Sequence, residues 1–134
     1  MNSIPRAKIQ VRFADCDVMG HVNNAVYLSY FEMARMHYFQ FMVGDTWDWK
    51  ENGIILVKNE VTYLKPVLLH DKPEIRVLAG KIGRTSVEMS YELYVSDVIY
   101  TTGVSKLVCF DFKIQQTVPV YEEMLKGFSK LDTK

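Results

Sequence analysis

The sequence predicts an α+β fold in which one long helix is covered by a curved antiparallel sheet of about five strands. Residues 24–43 are apolar on nearly every side of a helix, and such a helix is normally buried on several sides. Four later segments alternate apolar with polar residues at the period of strands, and short connections join them as in an antiparallel meander. The length of 134 residues suits one compact unit, so we expect residues 1–134 to form a single domain.

The elements follow one another in a simple order. Residues 8–13 alternate apolar with polar side chains and predict the first strand. A polar loop over residues 14–23 then leads into the long helix, whose first turn the pair Asn23 and Asn24 can cap. A short helix is predicted after Pro119, where acidic residues suit a first turn. Between the two helices, strands are predicted over residues 54–64, 74–82, 86–95 and 98–112.

Charge and cysteine content exclude several classes of partner. The chain carries 16 Lys and Arg against 16 Asp and Glu, so it has no overall positive field for nucleic acid or an anionic membrane, and we expect neither as a partner. Neutrality also leaves self-association unopposed. Cys16 and Cys109 form no CxxC pair, and residues 1–10 lack the apolar run of a signal peptide. We therefore expect a cytoplasmic protein.

The loop before the long helix carries the side chains that are suited to chemistry. Asp17 lies just upstream of the helix start, where free backbone N–H groups and the positive end of the helix dipole can stabilise charge on a carbonyl oxygen. Such a carboxylate can attack the carbonyl or activate water. His21, Asn23 and Asn24 add polar groups that can hold water, the carboxylate or the substrate. The loop predicts acyl transfer or hydrolysis of an activated ester.

The same loop carries a family resemblance. The pattern D-C-D-x-x-G-H-V-N-N-x-x-Y-x-x-Y-F-E-x-A-R over residues 15–35 resembles the signature of hot-dog fold thioesterases, in the branch that contains 4-hydroxybenzoyl-CoA thioesterase and its acyl-CoA thioesterase relatives. V-T-Y-L-K-P at 61–66 and I-G-R-T-S-V at 82–87 are similar to later landmarks of the family, so the resemblance covers about residues 6–112. It implies that two subunits pair edge to edge, as a homodimer or within a homotetramer, with the acyl-thioester site at their interface.

The resemblance also implies a reaction and assigns roles to residues. An acyl-CoA would be hydrolysed to a free acid and CoA, with no cofactor and no metal. Asp17 would be the nucleophile or general base, and the backbone N–H of Asn24 would polarise the thioester carbonyl. Gly20 would allow the loop to approach closely, and Asn23 and His21 would be supporting polar groups. Some relatives carry a His at the position of Asn24, so the role of His21 stays open.

Substrate contacts follow from the helix face and from the family's mode of CoA binding. Tyr27, one ring of the aromatic stripe on the helix, is expected to line an acyl pocket. Glu32 either pairs with Arg35 or faces the site or the dimer seam. The resemblance suggests CoA contacts from residues beside the sheet edge, namely Lys58, Lys65, Arg84, Thr85 and Ser86.

Other interpretations remain open at this level. An acyl carrier protein could present the substrate, because plant acyl-carrier-protein thioesterases have a similar H-V-N-N segment. The chain could instead bind acyl thioesters without hydrolysing them, whereas a hot-dog dehydratase fits the loop less well. Asp15 is expected to be structural, and a metal site built from Asp15, Asp17 and His21 is disfavoured. Cys16 lies between two acids that oppose a thiolate, which disfavours a thiol nucleophile.

Overall fold

The computed structural model describes residues 3–134 and contains the predicted elements in the predicted order. The long helix α1 spans Val26–Val43 and lies between a two-residue strand and the main strands. A second helix, α2, spans Glu122–Phe128 near the C-terminus. The strands are β1 (Ala7–Lys8), β2 (Gly53–Tyr63), β3 (Glu74–Ile82), β4 (Ser86–Val95), β5 (Val98–Asp111) and β6 (Gln116–Thr117).

The strands form one curled antiparallel sheet in the order β1-β3-β4-β5-β2, and β6 pairs with the end of β5. The hairpin between β4 and β5 turns on Ser96 and Asp97, whose φ angles of 49° and 63° are those of a tight two-residue hairpin turn. Because β2 pairs only with β5 among residues 3–134, it lies at an edge of the sheet. The α+β class and the sheet of about five strands are confirmed.

The helix lies against the concave side of the sheet at a position that only glycine allows. The ring of Phe31 stacks on Tyr91, with 4.4 Å between ring centroids and 10° between ring planes. A Cβ on Gly103, in the neighbouring strand, would come within 2.8 Å of the Phe31 ring. The absent side chain therefore lets helix and sheet approach and form the core.

The sheet of one chain covers only part of the helix. Leu28, Met33 and Met36 are 39%, 48% and 45% exposed, so the helix keeps an apolar face that nothing in residues 3–134 buries. Within the single chain the expected burial covers one broad side of the helix, which carries Tyr27, Phe31 and Tyr38, and leaves this face exposed. The helix α2 covers another side, since Gly127 packs closely against Met42.

Two predicted element boundaries are wrong by more than one residue. The first strand ends at Lys8 rather than at residue 13, and Phe13 is 84% exposed. A strand cannot continue to residue 13, because a short 3-10 turn occupies Phe13–Asp15, and the backbone N–H of Arg12 before it donates to the Asp15 carboxylate at 3.0 Å. The helix begins at Val26 rather than at Asn24, since the preceding residues form a turn.

Candidate active site

Asp17 lies in a loop that is closed by its own backbone. The N–H of Asp17 donates to the carbonyl of His21 at 2.8 Å, and Gly20 donates back to the carbonyl of Asp17 at 3.0 Å. Gly20 has a φ of 77°, a conformation that glycine adopts without strain. At the tip of this loop, the side chains of Val18 and Met19 are exposed. Main-chain bonds thus set the shape of the loop.

The hydrogen bonds that hold the Asp17 carboxylate all go to one of its two oxygens. Its Oδ1 accepts hydrogen bonds from the N–H of Met19 at 2.9 Å and of His21 at 3.3 Å. Within the described part of the chain, Oδ2 accepts none. The side chain is half-buried. One oxygen therefore stabilises the loop while the other is available for chemistry.

Asp15 anchors the loop to the helix. Its buried carboxylate accepts a 2.7 Å hydrogen bond from the Tyr30 hydroxyl, and its carbonyl accepts the N–H of Asn23 at 2.9 Å. Burial alone would raise the pKa of Asp15, but hydrogen bonds from the Arg12 backbone, the Tyr30 hydroxyl and the Arg12 guanidinium outweigh it, so the pKa lies below the ordinary value. These contacts support the structural role expected for Asp15.

The turn before the helix sets the direction of one backbone N–H. The carbonyl of Asn23 accepts the N–H of Val26 at 2.9 Å, and its side-chain oxygen accepts the N–H of Ala25 at 3.0 Å. In a trans peptide the C=O and N–H point in opposite directions, so the Asn24 N–H is directed away from the helix. Among residues 3–134 it finds no hydrogen-bond acceptor. Asn23 thus caps the turn, and Asn24 offers a free donor.

These groups line one cavity of about 450 Å³ at the front of the helix. Six of the residues singled out from the sequence lie in its wall, namely Asp17, His21, Asn23, Asn24, Tyr27 and Lys65. Sequence reasoning missed the other lining residues, which are Met19, Val22, Tyr63, Leu64 and Pro66. Tyr63 could have been found, because the alternation of β2 puts it on the face that carries Val61.

Two tyrosines form the side and floor of the cavity. Tyr63, at the end of β2, donates its hydroxyl to the carbonyl of Asn24 at 2.8 Å. Its ring meets the buried Tyr27 edge to face, with centroids 4.9 Å apart. The Tyr27 hydroxyl accepts the N–H of Val67 at 3.2 Å. Burial raises the pKa of both phenols, so both remain protonated near neutral pH.

Apart from Gly20, which belongs to the Asp17 loop, the remaining candidate residues do not meet Asp17 within one chain. Ser86, which belongs to the turn with Arg84 and Thr85, pairs with Val108, whereas Tyr63 pairs with Thr101. The two positions on β5 are seven residues apart, or about 23 Å of strand. Two more candidates form ion pairs outside the cavity, Glu32 with Arg35 at 3.7 Å and Lys58 with Glu60 at 3.1 Å.

A second polar cluster lies further along the helix. The guanidinium of the buried Arg35 donates to the Tyr91 hydroxyl at 3.0 Å and to the Ser105 hydroxyl at 3.4 Å. Ser105 in turn donates to the side chain of Asn59 on β2 at 2.6 Å. Glu32 reaches Arg35 only from solvent, with a side chain that is 71% exposed. The cluster connects the middle of the helix to the edge strand.

Two further searches of the described residues concern metals and membranes. Residues 3–134 contain no group of three or more His, Cys, Asp or Glu side chains arranged to hold a metal ion. Neither α1 nor α2 combines the length and the apolarity that a bilayer span requires.

Known proteins with similar sequence or structure point to one class. A thioesterase from Thermus thermophilus, solved with coenzyme A and zinc, is 32% identical with a TM-score of 0.82, and the match covers 94% of this chain and 92% of that one. The long-chain acyl-CoA thioesterase FadM of Escherichia coli is 29% identical, over 94% of this chain and 98% of FadM. An uncharacterized Bacillus subtilis protein, YsmA, is 29% identical over 63% of this chain and 56% of YsmA.

The architecture shared with the solved thioesterase is the hot-dog fold, and the class that the comparisons define here is a thioester hydrolase. The family model of the thioesterase-like superfamily matches residues 11–128. The chain therefore belongs to the thioesterase-like superfamily. The predicted hot-dog fold and the predicted enzyme class are confirmed.

Proposed function

We propose that the chain hydrolyses an acyl-CoA to a free acid and CoA, with Asp17 and the backbone N–H of Asn24 as the catalytic pair. The observation that carries this proposal is that the same cavity is lined by Asp17, which has a carboxylate oxygen without a partner among residues 3–134, and by Asn24, which has a backbone N–H without one. The relative FadM, whose name gives a long-chain acyl-CoA as substrate, and the thioesterase solved with coenzyme A support CoA as the thiol.

Either of two routes fits the cavity. As a nucleophile, Oδ2 of Asp17 attacks the thioester carbon, the C–S bond breaks to release the CoA thiolate, and water then hydrolyses the acyl anhydride. As a general base, Asp17 takes a proton from water, and that water attacks the thioester carbon directly. In both routes the Asn24 N–H stabilises the negative charge on the carbonyl oxygen. His21 and Asn23 serve as supporting polar groups, and the buried Tyr27 lines the acyl pocket.

We further propose that the active unit is a homodimer joined at β2. The edge strand β2 exposes Leu56 and Val57, and long apolar edges in soluble proteins are normally covered. Two copies of β2 paired antiparallel about a twofold axis bring the Ser86 end of one sheet beside the Tyr63 end of the other. Arg84, Thr85, Ser86 and Lys58 then contact CoA across the interface. Glu32 faces the same seam.

The location that we propose is the reducing cytoplasm. Cys16 and Cys109 are both free thiols, as proteins of that compartment normally keep them.

A free-thiol assay against a panel of acyl-CoAs tests the reaction. The wild type should release CoA, and Asp17→Asn should lower kcat by roughly two to four orders of magnitude. Asp48→Asn is the matched control, because Asp48 also accepts two backbone N–H bonds in a loop, at 3.0 and 3.2 Å, outside the cavity. Near-normal turnover by Asp17→Asn refutes the assignment. Saturable binding without release indicates a binding module, and release from acyl carrier proteins alone indicates the other substrate class.

Sedimentation velocity tests the assembly. The wild type should sediment as a dimer or a tetramer, and Val57→Asp should give monomers with strongly reduced activity. Gln116→Asp, an exposed strand position on β6, is the control. A wild-type monomer with full activity contradicts the proposal.

A further inference from the structure

A single hydrogen bond connects the sheet edge to the start of the helix. The carbonyl of Asn24 accepts the Tyr63 hydroxyl at 2.8 Å, across 39 positions of sequence. In a regular helix this carbonyl would accept the N–H of Leu28, but that N–H goes to Ala25 instead, at 3.3 Å. Tyr63 therefore supplies the only partner of the Asn24 carbonyl within residues 3–134.

Strand pairing, backbone hydrogen bonds and a ring contact hold Tyr63 in place. Tyr63 pairs with Thr101 on β5, and the next two N–H groups along the chain, of Leu64 and Lys65, both donate to the carbonyl of Tyr100, at 2.9 and 3.0 Å. The ring rests edge-on against the buried Tyr27. The hydroxyl is thus held at a defined place relative to the sheet.

Hydrogen bonds hold both of the peptide planes that flank the Asn24 Cα. The plane before it, which carries the Asn24 N–H, is held where the Asn23 carbonyl accepts the N–H of Val26 at 2.9 Å. The plane after it is held by Tyr63 at the carbonyl and by the Asn23 side chain at the N–H of Ala25. Only the φ and ψ of Asn24 separate the two planes, so holding the second plane limits the conformations of the turn that carries the first.

We propose that Tyr63 is a positioning residue for hydrolysis, whose hydroxyl keeps the Asn24 N–H directed at the thioester carbonyl. The inference rests on the proposed function, since it assigns that N–H to the carbonyl oxygen. Tyr63 acts through Asn24 and forms no bond with the reacting atoms.

Steady-state kinetics of Tyr63→Phe give the first test, because this change removes the hydroxyl and keeps the ring against Tyr27. A neutral hydrogen bond is worth about 1 kcal/mol, so kcat should fall roughly 3- to 10-fold while KM changes less than about 2-fold. Tyr94→Phe, which removes a 2.9 Å hydroxyl bond to Glu92 outside the cavity, should leave both constants unchanged. Unchanged kcat in Tyr63→Phe overturns the inference, as does a loss explained by the unfolded fraction seen in circular dichroism.

Binding of two non-hydrolysable analogues separates positioning from general support. One analogue keeps the carbonyl and replaces sulfur with CH₂, and the other is a thioether without the carbonyl. Tyr63→Phe should weaken the ketone roughly 3- to 10-fold and the thioether less than about 2-fold, and should reduce the infrared shift of the bound ketone carbonyl. Equal weakening of both overturns the inference. A wild type that hydrolyses no thioester overturns the proposed function as well, whereas an active wild type matched by Tyr63→Phe overturns the role of Tyr63 alone.

Discussion

The hydroxyl of Tyr30 donates a 2.7 Å hydrogen bond to the carboxylate of Asp15, and both side chains are buried. This contact joins the second turn of the helix to the loop that carries Asp17. Burial, and then the hydrogen bond to Asp15, raises the pKa of the Tyr30 phenol. The hydroxyl therefore stays protonated and remains a donor. The position of the candidate catalytic loop therefore depends on an ionised carboxylate beneath it.

Asp15→Asn should lower the free energy of unfolding by about 1.5–3 kcal/mol at pH 7, because a hydrogen-bonded carboxylate is lost. The pKa of Asp15 is lower in the folded than in the unfolded chain, so its contribution is present above the ordinary pKa near 4 and is lost as pH falls through the folded value. Urea unfolding from pH 7 to pH 3 should show the gap between wild type and variant closing below about pH 4. A difference in the free energy of unfolding that does not change with pH contradicts a stabilising role for the ionised Asp15 carboxylate. Asp97→Asn, at an exposed position, is the control.

Replacing Asp17 by Asn and by Ala should separate its two roles. Both variants lose the free carboxylate oxygen and should lose activity. Asn keeps an oxygen for the N–H groups of Met19 and His21, whereas Ala removes both bonds and should cost about 1–2 kcal/mol of stability. Thermal unfolding of the three proteins measures the difference. Equal stability of the two variants would show that Oδ1 does not hold the loop.

Gly103→Ala should lower the free energy of unfolding by about 1–3 kcal/mol, because the new methyl group would meet the Phe31 ring at 2.8 Å and the Glu60 carbonyl at 3.1 Å. Gly83→Ala is the matched control, since its added Cβ meets mainly the Ser86 hydroxyl, which can rotate away. The double variant with Phe31→Leu should recover part of the loss. Wild-type stability of Gly103→Ala argues against the close approach of helix and sheet.

Tyr91→Phe should destabilise the chain by about 1–3 kcal/mol, because it removes the nearer acceptor of the buried Arg35 guanidinium. Glu32→Gln should cost no more than about 1 kcal/mol, since Glu32 is mostly exposed and 3.7 Å from Arg35. Urea unfolding of the two variants measures this contrast. A larger loss in Glu32→Gln would mean that the ion pair, rather than the hydrogen bonds, stabilises Arg35.

Local patterns sufficed for the four long strands that follow the helix, but not for the two-residue strand β6. The bounds of β3 and β4 match the predictions because turn residues follow both strands directly, at Gly83 and at Ser96. The predicted extent of the first strand is wrong, because Ile9, Val11 and Phe13 alternate in sequence although the chain is no longer a strand after Lys8 and forms a 3-10 turn after Arg12. That turn depends on Asp15, whose partners on the helix no local pattern reveals.

The candidate site likewise contains residues that local sequence predicted and one that it did not. Asp17, His21, Asn23 and Asn24 lie within one short segment, so a motif predicted their proximity, and the cavity brings them together. Alternation puts Tyr63 on the face of β2 that carries Val61, but its contact with Asn24 depends on how β2 pairs with β5, and periodicity does not determine that register.

The loop from Asp17 to His21 is closed by main-chain hydrogen bonds, and the side chains of Val18 and Met19 stand outside the core. Backbone bonds survive a change of side chain. Mutations at these two positions can therefore accumulate with little cost to folding, while the Asp17 carboxylate keeps its place. Evolution, or directed selection in the laboratory, can thus diversify Met19 in the wall of the cavity, and Val18 beside it, toward new acyl groups independently of the residues behind them.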